Sequence, residues 1–233
     1  SLAYDYQSVS QDTIEAYQKI PVGGFTLFAS NISTPDQLIR FTNDLHHLGY
    51  IAPFLSIDEE GGSVARIGSN YNFPVKRYYD MGYISEDGAA DVGYTIGSYL
   101  KEYGFDVDFA PVADVNTNPY NPVIGTRAFS SDPEISAKMI KDCIQGFHEA
   151  GIQTCAKHFP GHGDTNTDTH LGYAQTGKTW EQLLECEMLP FKAAIEEGTD
   201  FIMVAHICAP SITGDEIPSS LNPVIIDKLR NEL

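Results

Sequence analysis

The stretch GIQTCAKHFPGHGDTNTDTH, residues 151–170, decides how this chain folds and where its chemistry lies. Residues 151–156 read as a β-strand, a short apolar run opened by glycine. The residues that follow, 157–170, carry three histidines, two aspartates and a lysine among glycines and a proline. Titratable groups at that density are costly in a core and useful at a strand end, so the loop reads as a site. Histidine has the unperturbed pKa nearest neutrality, which makes His158, His162 and His170 the natural proton carriers. Asp168 stands two residues before His170, close enough to accept its Nδ1 proton and fix the tautomer. Gly161 and Gly163 are expected to supply positive φ around His162, with Pro160 stiffening the entry. Each histidine taken singly has a plain alternative as a satisfied surface or core residue. It is their grouping that argues for function.

Outward from this loop, apolar runs of strand length alternate with segments of helical period. Strands are predicted over residues 24–29, 53–57, 107–112, 152–156 and 201–205. Helices are predicted over 35–48, about 88–103, 133–150, 179–197 and 223–233, with a polar helical stretch over 10–19 ahead of the first strand. The alternation implies parallel strands joined by helical crossovers. Chemistry-bearing residues fall just after strands: Ser30 and Asn31; Asp58, Glu59 and Glu60; Asp114, Asn116 and Asn118; Lys157 and His158; His206. The other strand ends carry no comparable groups. That asymmetry favours an α/β TIM barrel, whose active site is built at the carboxyl ends of its strands. A doubly wound sheet would concentrate function at one switch point and usually carries a glycine fingerprint, and no G-x-G-x-x-G occurs. A (β/α)8 barrel needs eight units and about five are counted, so residues 1–233 are expected to form one incomplete barrel domain.

Lys and Arg number 14 against 32 Asp and Glu, a formal charge of −18, which argues against nucleic acid and anionic lipid as partners. No apolar run approaches the roughly 20 residues of a membrane span, and residues 1–5 lack the features of a signal peptide. A soluble protein is expected, with its compartment open. Cys143, Cys155, Cys186 and Cys208 lack C-x-x-C spacing and read as reduced thiols rather than bridges or a zinc site.

Asp58-Glu59-Glu60-Gly61-Gly62, followed by Arg66, has two readings. An acidic helix start explains some of the charge through the macrodipole. Ligand binding explains the glycine pair as well, because an aspartate and an arginine can hold adjacent sugar hydroxyls from two sides. In the loop after the third strand, Asp114-Val115-Asn116 and Asn118-Pro119 are ordinary turn chemistry, whereas Arg127, between Gly125-Thr126 and Ala128-Phe129, could be aimed inward. His206 is a pocket candidate or a structural histidine. His46 and His47 read as surface residues at a helix end.

These motifs together resemble glycoside hydrolase family 3, in its β-N-acetylglucosaminidase branch. The resemblance runs nearly end to end: residues 22–32, Ile57 to Gly62, Asp108-Phe109-Ala110-Pro111-Val112, Gly125 to Phe129, and Lys157 to Asp164 with Asp168-Thr169-His170. The last of these separates the branch from the β-glucosidases of the family. The resemblance implies a retaining hydrolase acting on terminal β-linked N-acetylglucosamine, in muropeptides or chitin oligosaccharides, with no metal or organic cofactor. It implies a bacterial enzyme of either cytoplasmic or extracytoplasmic location, with a part in cell-wall recycling. His170 paired with Asp168 would be the general acid/base. Asp58, Arg66, Arg127, Lys157 and His158 would bind the sugar hydroxyls, with His162 and His206 as further pocket residues. The nucleophilic aspartate of the family follows the strand after a segment like 223–233, so it is expected beyond Leu233. One strand is expected ahead of Gly23 as well. The chain alone is therefore expected to be inactive, with open barrel edges that invite self-association.

Two other readings remain at this stage. A metal-dependent barrel hydrolase would use His158, His162, Asp164 and His170 as ligands, although the early H-x-H pair of barrel amidohydrolases is missing. A non-catalytic carbohydrate-binding fragment would fit the missing nucleophile.

Overall fold

The computed structural model describes residues 6–78, 80–165 and 174–233, so Asp168 and His170 lie outside the described residues. The strands are β1 (Gly24–Leu27), β2 (Phe54–Ile57), β3 (Glu59–Gly61), β4 (Val64–Ala65), β5 (Val107–Asp108), β6 (Gln153–Phe159) and β7 (Phe201–Val204). The α-helices are α1 (Gln11–Lys19), α2 (Pro35–His46), α3 (Ala89–Glu102), α4 (Pro133–Glu149), α5 (Trp180–Leu184), α6 (Met188–Glu196), α7 (Pro210–Thr213) and α8 (Pro223–Asn231). Ser10, Thr34, Asp132, Thr179 and Asn222 each accept a backbone N–H of the first helical turn, so a short polar side chain sets the start of α1, α2, α4, α5 and α8.

β1, β2, β5, β6 and β7 form one parallel sheet in that spatial order. Spatial order follows chain order without a reversal. A doubly wound sheet must reverse at its switch point, so these strands are an arc of a TIM-type barrel, open rather than closed. Helices cover the outside, and Leu55, Ile57, Ile96, Leu100, Ile144, Phe147, Phe159 and Phe191 belong to one buried cluster. A Cβ on Gly93 of α3 would lie 2.1 Å from the Cys143 carbonyl oxygen of α4, and one on Gly146 would lie 2.2 Å from that of Ala90. The two helices therefore touch backbone to backbone, which only glycine permits there.

A device recurs on the face opposite the polar strand ends. His46, in the last turn of α2, meets Asp106 Oδ2 at 2.9 Å, and that oxygen also accepts the Leu55 N–H of β2 at 2.9 Å. His148, in the last turn of α4, meets Asp200 Oδ2 at 3.1 Å, which accepts the Thr154 N–H of β6 at 2.9 Å. In both cases the aspartate immediately precedes the next strand. His46, expected as a surface residue at a helix end, is half-buried in this pairing.

Several expectations are corrected in detail. The strand over 107–112 is a ladder only at β5, because Pro111 has no N–H to donate; β6 still bonds to the carbonyls of Ala110 and Pro111. The helix over 179–197 is two helices, because the chain turns between α5 and α6 to bury Glu187, whose carboxylate meets the Lys178 ammonium. The acidic segment after β2 is no helix start: β3 and β4 form an antiparallel hairpin, and Glu59 and Glu60 are buried in it. All four cysteines are unbridged. No helix among the described residues is long and apolar enough to cross a membrane.

Candidate active site

The carboxyl ends of β2 and β6, the β3–β4 hairpin and the loop after β5 enclose a cavity of about 350 Å³. Asp58, Arg66, Arg127, Lys157, His158, His162 and His206 all line it, together with Glu60. Lys157 and His158 lie within β6 rather than after it. Adjacent strand residues ordinarily face opposite ways, but the register with β7 shifts between Lys157 and Phe159, and both side chains reach the cavity.

Lys157 is 1% exposed, and its ammonium lies 2.8 Å from Asp58 Oδ1 and 2.5 Å from Glu60 Oε1. Arg127 clamps Glu60 from the other side, Nε to Oε2 and Nη2 to Oε1, both at 2.8 Å, while Nη1 donates to the Val123 carbonyl at 2.9 Å. Burial alone would push the Glu60 carboxyl up, but the Lys157 charge and the Arg127 fork outweigh it and hold the pKa at about 2. Burial would likewise lower Lys157, and the two facing carboxylates raise it instead. Glu60 therefore stays ionised and fixes two cations in the wall. Asp58 keeps an oxygen toward the cavity, with Arg66 Nη2 3.7 Å from it.

Asp114 is 1% exposed and organises the histidines. Its Oδ2 lies 2.6 Å from His158 Nδ1, and its Oδ1 accepts the His162 backbone N–H at 2.6 Å. Burial would raise this carboxyl, but the neighbouring imidazoles and the N–H bond lower it, so it stays charged. A carboxylate partner makes Nδ1 the protonated nitrogen of His158. Its single Nε2 lone pair, at the cavity wall, then accepts a long bond of 3.4 Å from Arg127 Nη2. His162 Nδ1 meets Thr165 Oγ1 at 2.7 Å, and burial lowers its pKa, which favours a neutral ring. His206 is exposed, with Nδ1 2.8 Å from Ser220 Oγ. Gly161 has φ +119°, as expected, whereas Gly163 serves close approach: a Cβ there would lie 1.9 Å from the Val115 carbonyl oxygen.

Asp114 and Glu60 stand in the sequence among the polar residues that follow strands, but nothing there distinguishes Asp114 from turn chemistry or Glu60 from its neighbours Asp58 and Glu59. Their one signal was position, at or just beyond a strand end. Among the described residues no three His, Cys, Asp or Glu side chains gather as metal ligands. Asp164, offered as a ligand, instead accepts the Thr176 hydroxyl at 2.9 Å. The arrangement provides fixed charges and one oriented imidazole around a polar cavity, which suits recognition of adjacent hydroxyls.

The model of the glycosyl hydrolase family 3 N-terminal domain matches residues 4–233. A "Beta-hexosaminidase A" of Pseudoalteromonas piscicida is 34% identical over 216 residues, covering 88% of this chain and 36% of that protein. Among solved structures, a glycoside hydrolase family 3 β-N-acetylglucosaminidase from a Paenibacillus strain superposes with TM-score 0.90 at 31% identity, over 97% of this chain and 44% of that one. Native NagZ from Neisseria gonorrhoeae superposes with TM-score 0.89 at 27% identity, over 97% and 67%. The chain spans 36% to 62% of the length of the first curated relatives it matches.

Proposed function

The chain belongs to glycosyl hydrolase family 3, and on that premise we propose that its cavity binds the terminal β-linked N-acetylglucosamine of a glycan or muropeptide for hydrolysis with retention. The observation that carries this reading is the convergence of Asp58, Arg66, Arg127, Lys157 and His158 on one cavity. Asp58 accepts from sugar hydroxyls, as does the His158 Nε2 on exchanging its long bond from Arg127 Nη2 for one from the sugar; Lys157 and the arginines donate to hydroxyl oxygens. Asp114 holds the His158 ring, and Glu60 holds Lys157 and Arg127, so recognition requires little reorganisation.

Hydrolysis needs a proton for the glycosidic oxygen and a carboxylate that attacks the anomeric carbon. His170, oriented by Asp168, supplies the proton to the leaving oxygen and then removes one from the attacking water. The attacking carboxylate is assigned to the part of the complete protein beyond Leu233. Within this chain, Asp200 is committed to His148 and Thr154 on the opposite face, and Asp215 bonds to Ile217 N–H and Asn222.

The test uses the complete protein and aryl N-acetyl-β-glucosaminides. His170→Ala is expected to slow hydrolysis strongly for poor leaving groups and less for activated ones, with Asp168→Ala milder in the same direction. Equal losses across leaving groups, or activity abolished by a chelator and restored by zinc, would overturn the reading.

A further inference from the structure

We propose that Glu59 is the positioning residue that fixes Arg66 for sugar recognition, an inference that rests on the sugar-site reading above. Glu59 is 0% exposed. Its Oε2 accepts the backbone N–H groups of Arg66 at 2.6 Å and Ile67 at 2.9 Å; its Oε1 accepts the Gly68 N–H and the Tyr99 hydroxyl, both at 2.7 Å. An ionised carboxyl group offers about four lone-pair sites. Four donors occupy them, three of them backbone N–H groups that cannot accept, so the ionised carboxylate satisfies all four at once. Burial pushes the Glu59 pKa up, and protonation on Oε1 requires the Tyr99 hydroxyl to turn from donor to acceptor. The convergent donors favour the ionised carboxylate against burial, and among the described residues no cation pairs with it.

The same bonds lock the main chain of residues 66–68. A Cβ on Gly68 would come to 3.0 Å from Glu59 Oε1, so the absence of a side chain there leaves room for the carboxylate. The other end of the anchor is fixed too, because the Glu59 N–H donates to Asp108 Oδ1 at 3.0 Å. Arg66 projects from this locked turn into the cavity lining. Its Nη2 is too far from Asp58, at 3.7 Å, for a hydrogen bond, and its buried Nε has no partner among the described residues. Side-chain contacts thus do little to aim Arg66. Its direction comes from the backbone that Glu59 holds, which leaves the guanidinium with unused donors for a ligand.

The test compares Glu59→Gln, Tyr99→Phe, Arg66→Ala and the Glu59→Gln/Arg66→Ala pair in the complete protein. Glutamine keeps one acceptor oxygen and turns an NH2 group against the remaining donors. N-acetylglucosamine affinity by calorimetry should fall about tenfold in Glu59→Gln and about threefold in Tyr99→Phe. KM should rise with kcat retained. On the Arg66→Ala background Glu59→Gln should add nothing. The Arg66 Nε–Hε resonance should be dispersed in the parent protein and collapse toward that of an exposed arginine in both Glu59→Gln and Tyr99→Phe. A lower Tm with unchanged affinity and an unchanged Arg66 resonance would reduce Glu59 to a structural residue, as would losses that add fully to Arg66→Ala. If the parent protein binds no sugar, the sugar reading fails and the Arg66 resonance alone decides the positioning claim. If Glu59→Gln does not fold, Tyr99→Phe carries the same comparison.

Discussion

Glu60 and Lys157 hold the cavity wall together, and acid should separate them. The folded pKa of Glu60, about 2, lies below the ordinary 4.5. Between those values the unfolded chain binds a proton that the folded chain does not. Its contribution to stability is therefore complete above pH 4.5 and lost as pH falls toward 2, a term of roughly 3 kcal/mol. Lys157→Met removes the closest cation and should cost roughly 3–5 kcal/mol at pH 7, read from urea denaturation; a stability unchanged by the substitution would refute the coupling. Asp108 has the opposite sign. It is wholly buried with Oδ2 unpartnered among the described residues, and burial pushes its pKa well up, so it opposes folding increasingly as pH rises above the unfolded value. Asp108→Asn should stabilise the protein near pH 7, with the gain vanishing below about pH 4; a loss at neutral pH would contradict this. Lys157, His158 and Arg127 were legible in the sequence because titratable groups stood beside glycines at strand ends. Asp114 was less so, since Asp-x-Asn looks the same in an idle turn as beneath a polar cavity.

Elements were read most securely where a cap marked their start, as Thr34 does for α2 and Asp132 for α4. The hairpin β3–β4 was hidden, because three consecutive carboxylates look like solvated charge until Arg127, Lys157 and the backbone of 66–68 are known to converge on them. The break between α5 and α6 was hidden for a related reason: Glu187 fits a helical pattern, and only its burial against Lys178 interrupts it. The α3–α4 contact offers a direct test of element packing. Gly93→Ala places a methyl against the Cys143 carbonyl and must push the helices apart, with an expected loss of roughly 1–3 kcal/mol. For a domain of this size that is a fall in Tm of roughly 2–12 °C by calorimetry. An unchanged Tm would mean that the helices are not in backbone contact. The paired His46–Asp106 and His148–Asp200 devices could not be seen in sequence, because each joins residues more than fifty positions apart.

The parallel strands bring the ends of β2, β6 and β7 and the loop after β5 to one cavity, which Ser30 and Asn31 after β1 do not line, and that placement was largely legible from the asymmetry of polar residues. Among the described residues β1 and β7 are each paired on one side only. Residues 1–233 prepared alone should therefore associate through those edges, seen as concentration-dependent elution in gel filtration; a monomer at all concentrations would argue that the edges are covered. The same preparation should hydrolyse neither activated nor poor-leaving-group glycosides, and turnover on the order of 1 per second would place the nucleophile inside this chain. If this mouth holds a terminal N-acetylglucosamine, diffraction from crystals of the complete protein soaked with that sugar will show it directly. The sugar should lie in the cavity with hydroxyls in hydrogen-bond reach of Asp58, Arg66, Lys157 and His158. A sugar bound elsewhere, or a metal ion seated between His158 and His162 in its place, would contradict it.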